Sequence, residues 1–380
     1  MEMEKAYNLI KQNTLYRKTP MINVENILNL PKFVNLNMKL ENMQHTGSFK
    51  IRGVINQIAH VDKNAILNRS IVATSGGNYG KALATISKQL QLQCLIVMPN
   101  HAPKYRVETI KKLGGNVELV ENNMLQKTAD YHVQKDNMMF LHPYDDYNLI
   151  AGHASCGYEI LEQCHNVDII IVCCGGGGLL AGISSSVKPC LPNCKIYGVE
   201  PYGASKMFQS FRMQTPVTLE NVDTIATGLA PPYAGKITYD ICSRNVDAII
   251  LVSDEEIKAS MAKCYETGLV VEPSGCAALA ALMHGKVPGI DLKAAKENDL
   301  PVNRGGDYEE IIEDKTENLW PLSNDYIQYS PFFDASSEPR VQQALYEDGS
   351  GVKLNVVVVL TGGNISPNDL AAIVNSQREL

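Results

Sequence analysis

Asp168-Ile169-Ile170-Ile171-Val172-Cys173-Cys174-Gly175-Gly176-Gly177-Gly178-Leu179-Leu180-Ala181-Gly182 is the stretch from which the fold is read. Ile169 to Val172 form a short, unbroken run of β-branched apolar residues closed by a turn signal, the pattern of a fully buried strand. Gly175 to Gly178 make the turn, and a helix starts near Leu179. A strand buried on both faces that runs through a turn into a helix belongs to a parallel sheet covered by helices. Without Cβ atoms, the N–H groups of residues 175–178 can converge on an anion at the helix N-terminus. Neither GxGxxG nor GxxxxGK[ST] spacing is present, so a monophosphate suits the turn better than a dinucleotide.

Outward from this stretch the same strand–turn–helix rhythm repeats. On the N-terminal side, Ile71-Val72-Ala73 leads into Thr74-Ser75-Gly76-Gly77-Asn78-Tyr79-Gly80, and further strands fall at 94–98 and 117–120, each followed by a helical pattern. On the C-terminal side, strands fall at 196–200, 246–252 and 355–360, the last running into Thr361-Gly362-Gly363-Asn364. Three glycine turns at strand ends gather at the carboxyl edge of a parallel sheet, where ligands bind. His142 to Asp146 looks like a linker, with His142 a linker or core residue and Asp145-Asp146 a solvated turn. The predicted organisation is a large domain, 1–66 and 146–380, with a small domain, 67–145, inserted in it.

Residues 287–353 break the rhythm. They carry fourteen acidic against six basic side chains, and they hold the only tryptophan, Trp320. The composition reads as a partly disordered surface insertion. A docking or regulatory segment using its aromatics, and an error in the sequence itself, are the other readings.

The chain has 380 residues, 45% of them hydrophobic, and a net charge of -7. An acidic chain of ordinary composition is not expected to bind nucleic acid. No apolar run approaches the ~18–20 residues of a membrane span, and Met1 to Pro20 lacks a signal core. Most of the ten cysteines lie in apolar segments, with no CxxC and no neighbouring His, the pattern of buried free thiols. A cytoplasmic protein without structural zinc is expected.

Lys50 lies beyond the Thr46-Gly47-Ser48 turn and opens a run with helical spacing, 49–58. A helix N-terminus disfavours a cation, so a lysine there suggests a reactive group. One lysine, one phosphate turn and hydroxyl or amide groups at other strand ends suggest pyridoxal phosphate held by Lys50 as a Schiff base.

The chain resembles the serine/threonine ammonia-lyase (dehydratase) and serine racemase family of pyridoxal-phosphate enzymes, fold type II. The resemblance rests on residues 40–53 (with Ser48-Phe49-Lys50), Ser75 to Ala82, Gly175 to Gly182, Thr224 to Ala230, Glu272-Pro273-Ser274-Gly275 and Leu360 to Asn364, in family order over 5–286 and 354–375. It implies two doubly wound α/β domains with mostly parallel sheets, tryptophan-synthase-β-like, and the cofactor in the cleft between them. It also implies that Lys50 carries pyridoxal 5'-phosphate and then takes the substrate Cα proton. Phe49 would pack on one ring face and Gly228 near the other, Asn78 would reach the ring hydroxyl, and Gly175, Gly176, Gly177 and Gly178 would hold the phosphate. Thr361 would face the ring nitrogen. Ser75, Gly76, Gly77 and Asn78, with Thr46, would cradle the substrate carboxylate. A hydroxyl at the ring nitrogen makes the ring a weaker electron sink than a carboxylate would, which favours β-elimination. The implied activity is breakdown of L-serine or L-threonine to a 2-oxo acid and ammonia by a homodimeric catabolic lyase. The alternatives are a serine racemase with residual dehydratase activity, a β-replacement enzyme of the cysteine synthase type, and a non-catalytic relative.

The departures from the family are informative. Gly76 stands where serine racemases carry the serine that donates a proton on the opposite face, which disfavours racemisation. Tyr79 replaces a usual His, Tyr144 an Asn of the racemases, and His153-Ala154-Ser155 a Gln-Gly-Thr. Metal-binding members use a Glu, a carbonyl and an Asp; Glu200 and Ala204 match here, but Lys206 replaces the Asp. Oxygen ligands suit Mg²⁺ or Ca²⁺ and an ammonium does not. No metal is therefore expected, with Lys206 either pairing Glu200 or pointing into water. Sixteen residues follow Asn364, too few for the amino-acid-sensing domain of biosynthetic threonine dehydratases.

Overall fold

A computed structural model of the protein describes residues 2–24, 30–31, 33–62, 69–290, 292, 325–333 and 353–377. The strands are β1 Met21–Asn23, β2 Val34–Leu40, β3 Ile71–Thr74, β4 Cys94–Pro99, β5 Asn116–Val120, β6 Met139–Phe140, β7 Ile169–Cys173, β8 Lys195–Pro201, β9 Ala248–Val252, β10 Ile327–Tyr329 and β11 Leu354–Leu360. They form two sheets, one ordered β1-β2-β11-β7-β8-β9-β10 and the other β5-β4-β3-β6. All pairings are parallel except those of the edge strands β1 and β10. β7 is buried along its whole length and lies at the centre of the larger sheet. Its Ile and Val side chains fill both faces, as a strand covered by helices on each side requires.

Three helices position the central site by close approach. The helix Tyr147–Gln163 packs between the helices Lys50–Ala59 and Gly178–Val187. Gly152 lets it meet the first: a Cβ there would lie 2.6 Å from the Arg52 carbonyl oxygen. Gly182 on the third helix would bring a Cβ within 2.7 Å of the Ala154 nitrogen. Charge fixes the orientation further. Arg52 is fully buried and pairs with Glu41 at 2.7 Å and Glu159 at 2.6 Å, while buried Lys39 reaches Glu159 at 2.6 Å. Burial alone would raise the Glu41 carboxyl, but the Arg52 guanidinium pulls it down to about 2. Removing one partner from such a buried pair costs about 3–5 kcal/mol, so this network ties the helix that starts at Lys50 to β2 and to Tyr147–Gln163.

One expectation is corrected. Asp145 and Asp146 are helix caps, not a solvated turn. Asp145 accepts from the backbone N–H groups of Lys236, Ile237 and Thr238, and Asp146 from that of Leu149. Part of the acidic segment also belongs to the fold: Ile327–Tyr329 adds an antiparallel edge to β9, with Ile327 opposite Ile250, and the Tyr329 ring lies 4.6 Å from that of Phe333 at a tilt of 35°. Trp320 and most of residues 287–353 lie outside the described residues. No described helix is long and apolar enough to cross a membrane.

Candidate active site

Lys50 is the first residue of its helix. Its half-buried side chain donates from Nζ to the Pro143 carbonyl oxygen at 3.0 Å and lies 5.0 Å from the Phe49 ring centroid and 6.0 Å from that of Tyr79. Burial is the cause that acts on the ammonium, and it pushes the group down to about 8. Among the described residues no carboxylate pairs with it.

The next residue along from Pro143 reaches the glycine turn. The Tyr144 ring lies over Gly176, where a Cβ would meet its Cγ at 2.1 Å. Gly177 has φ +92°, the left-handed region that favours glycine. Among the described residues none of the N–H groups of Gly175 to Gly178 donates to a protein acceptor. Four unused donors at the start of a ten-residue helix form a nest for an anion, and the turn fits the phosphate of pyridoxal phosphate.

Around this pair the other loops interlock. The Phe49 N–H donates to the Thr361 carbonyl oxygen at 3.2 Å, and the Thr361 hydroxyl to that of Ser274 at 3.3 Å. Ser274 Oγ accepts from the Gly228 N–H at 2.7 Å. The Gly228 carbonyl oxygen in turn lies 2.8 Å from where a Cβ of Gly175 would be. Phe49, Gly228, Thr361 and the glycine turn are thus brought together.

From the smaller sheet comes the loop after β3. Ser75 Oγ accepts from the N–H groups of Gly77 and Gly80 at 3.1 and 2.9 Å, so the hydroxyl shapes the loop. Gly76 has open space where a Cβ would stand. The Asn78 amide donates to Glu272 and accepts from Asn364 Nδ2 at 2.7 Å. Asn364 also donates to the Thr46 carbonyl oxygen at 2.9 Å and accepts from Lys81 Nζ at 2.7 Å. The Thr46 hydroxyl is buried against its own turn, donating to the Ser48 carbonyl oxygen at 3.4 Å.

Several residues here carried no assigned role in the sequence. Arg106 donates to the Gly76 carbonyl oxygen at 3.2 Å and to Thr227 Oγ1 at 3.0 Å, and pairs with Glu272 at 3.3 Å. Burial raises the Glu272 carboxyl, against the pull of Arg106, Asn78 and Lys81. His153 is fully buried, its ring 4.8 Å from that of Phe49, and neither ring nitrogen has a partner among the described residues. Burial, then Lys50 and Arg52, hold it well below its ordinary range and hence neutral. His142 organises the turn that carries Tyr144: its Nδ1 accepts from the Asp145 N–H at 2.8 Å, and its Nε2 lies 3.1 Å from the Tyr233 hydroxyl.

At the end of β8, Lys206 and Glu200 are fully buried and 2.9 Å apart. Lys206 Nζ also donates to the carbonyl oxygens of Ala204 at 3.1 Å and Leu229 at 2.9 Å.

The profile of the family described as pyridoxal-phosphate dependent enzyme matches residues 13–291. Phenylserine dehydratase of Ralstonia pickettii is 34% identical over 66% of this chain and 77% of its own length. L-threonine dehydratase catabolic TdcB of Staphylococcus aureus is 36% identical over 75% of this chain and 83% of its own. The match to threonine dehydratase 2 biosynthetic, chloroplastic, of Solanum lycopersicum spans 42% of that longer protein. Maize serine racemase superposes with a TM-score of 0.75 at 25% identity, covering 100% of this chain and 97% of that one.

Proposed function

The chain belongs to the family of pyridoxal-phosphate dependent enzymes, and from that premise we propose that it eliminates the β-hydroxyl of L-threonine and L-serine as water, which is taken up again when the released enamine hydrolyses, for a net conversion to 2-oxobutanoate or pyruvate and ammonia. The observation that carries this reading is Lys50: a half-buried lysine that burial pushes down to about 8, in a site that also holds a nest of N–H groups with no protein acceptor among the described residues.

When bound, the cofactor supplies an electron sink for the charge left at the substrate Cα. The chain's own residues do the rest. Gly175 to Gly178 would hold the phosphate with backbone N–H groups. Lys50 would hold the cofactor through its amine and, once released, would take the Cα proton, a task helped by the burial that pushes its ammonium down to about 8. Phe49 and Gly228 would bound the ring space, and Thr361, whose hydroxyl donates to the Ser274 carbonyl oxygen, would offer its oxygen to the ring nitrogen. The loop 75–78, held by Ser75 Oγ, Asn364 and Arg106, receives the substrate carboxylate on the N–H groups that its internal bonds leave free. Arg106 closes that loop against Thr227 and Glu272 and limits the entry of water.

This reading includes a small lobe, 67–145, that closes on the rest of the chain. A homodimer and a cytoplasmic setting go with it, on the strength of the resemblance and the composition. Serine racemase is the second reading, favoured by the superposition on the maize enzyme. The open space at Gly76, which offers no proton donor, supports elimination over it. A product assay with L-threonine, L-serine and D-serine separates the two. Elimination predicts 2-oxo acid and ammonia in equal amounts, with little D-serine. D-serine forming faster than pyruvate reverses the assignment.

A further inference from the structure

A lysine with no access to solvent and three oxygen acceptors is an expensive arrangement. Removing an ammonium from water is costly even after the protein relaxes, and ion pairs of this kind add little net stability over apolar packing. What Lys206 gains for the molecule lies in its third acceptor. Glu200 and Ala204 are close in sequence, at the end of β8 and just after it. Leu229 belongs to the short turn Thr227–Leu229, 23 residues beyond Lys206.

Each residue of that turn is held by a different part of the site. Arg106 holds the Thr227 hydroxyl, Ser274 the Gly228 N–H, and Lys206 the Leu229 carbonyl oxygen. The Gly228 carbonyl oxygen lies against Gly175 of the glycine turn. Glu200 is fixed in its turn by the N–H groups of Met207 at 3.1 Å and Phe208 at 2.9 Å. The ammonium therefore has a rigid seat, and the Leu229 carbonyl is the part of the shell that needs positioning.

We propose that Lys206 is a tethered cation that positions the Thr227–Leu229 turn against the cofactor face of the site, in a shell of one carboxylate and two carbonyl oxygens. Hard oxygen donors of this kind also suit a free cation. A smaller side chain at 206 opens that shell to an added ion, whereas the native enzyme has no use for one. The kinetic arm of the test rests on the lyase reading. The exchange and cation arms do not, so the two can fail separately.

The test uses the holoenzyme, with hydrogen exchange of the Gly228 and Leu229 amides and lyase kinetics read in parallel. In the native protein, EDTA and added Mg²⁺, Ca²⁺ or K⁺ leave both unchanged. Lys206→Met speeds exchange in the turn and lowers kcat/KM about tenfold or more. Lys206→Ala does the same, and millimolar Mg²⁺, Ca²⁺ or K⁺ restores slow exchange and raises kcat/KM. A purely structural lysine would not yield to rescue by an ion. The proposal is overturned by a native enzyme whose turn responds to chelator or added cation. It is equally overturned by a folded Lys206→Met with native exchange and kinetics. If Lys206→Met does not fold, the Ala variant decides: failure of all three ions to restore its fold or its exchange protection overturns the proposal.

Discussion

Lys50 and Lys206 are both withdrawn from water, and their surroundings set them to opposite tasks. Lys206 has a carboxylate and two carbonyl oxygens, all within 3.1 Å. Lys50 has one carbonyl oxygen and two aromatic rings. Desolvation penalises the charged form of a buried lysine, and a negative partner or hydrogen-bond acceptors oppose that penalty. At Lys206 the Glu200 carboxylate is a counter-charge 2.9 Å away. Its own carboxyl is raised by burial against the pull of Lys206 and of two backbone amides. At Lys50 no such partner is present, and the group is pushed down to about 8. A buried lysine is thus a fixed charge or a reactive amine according to its neighbours, and depth alone does not decide.

The most severe way to break the comparison is to remove the reactive amine. Lys50→Ala is expected to fold, since the side chain is half-buried and ties down only one carbonyl. It should lose about 10³-fold or more in kcat/KM, as loss of the group proposed to move the proton and hold the cofactor requires. Lys50→Arg keeps the charge but cannot deprotonate, and should be as inactive. Steady-state kinetics with circular dichroism checks both. An active Lys50→Arg would show that the charge, and not the amine, matters.

Much of this contrast was legible in the chain, and the reason is local. The strand at 169–173, the glycine turn after it and the lysine at the first helical position are each specified by neighbours a few residues away. Arg106 was not legible, because its partners Gly76, Thr227 and Glu272 lie 30, 121 and 166 residues from it. On a surface helix it looks like any solvated charge. Lys206 was half legible: Glu200 is six residues away, but the Leu229 carbonyl is a backbone group with no side-chain signature. β10 was missed because a three-residue strand inside an acidic stretch carries too short a pattern, and pairing with β9 decides it. Asp145 was misread for the same reason, since the helix it caps begins 91 residues later.

A second substitution pushes Lys206 towards the state of Lys50. Glu200→Gln keeps the shape and an acceptor oxygen but removes the charge. Breaking a fully buried pair costs about 3–5 kcal/mol. The ammonium of the variant is then desolvated without a counter-charge. Denaturant melts of the variant beside the native protein check this loss. A variant with native stability would show that Glu200 does not neutralise Lys206.

The gentlest test leaves the sequence alone and titrates Lys50 in the native apoenzyme. Its ammonium is unreactive, so capture of an aldehyde requires the neutral amine. With the group pushed down to about 8, the rate of capture of pyridoxal should rise about tenfold per pH unit below that value and level off above it. Pyridoxal is the better probe, because it lacks the phosphate whose own ionisation would blur the profile. Stability carries the same sign. Between about 8 and the unfolded value the native chain binds fewer protons at Lys50 than the unfolded chain, so the apoenzyme gains stability as pH rises through that window. Other groups titrate there too, and the difference between native protein and Lys50→Met isolates the Lys50 share. Stopped-flow absorbance measures the first effect and paired melts the second. A capture profile still rising at pH 10 would place Lys50 among the ordinary lysines, and the contrast with Lys206 would then need a cause other than the missing carboxylate.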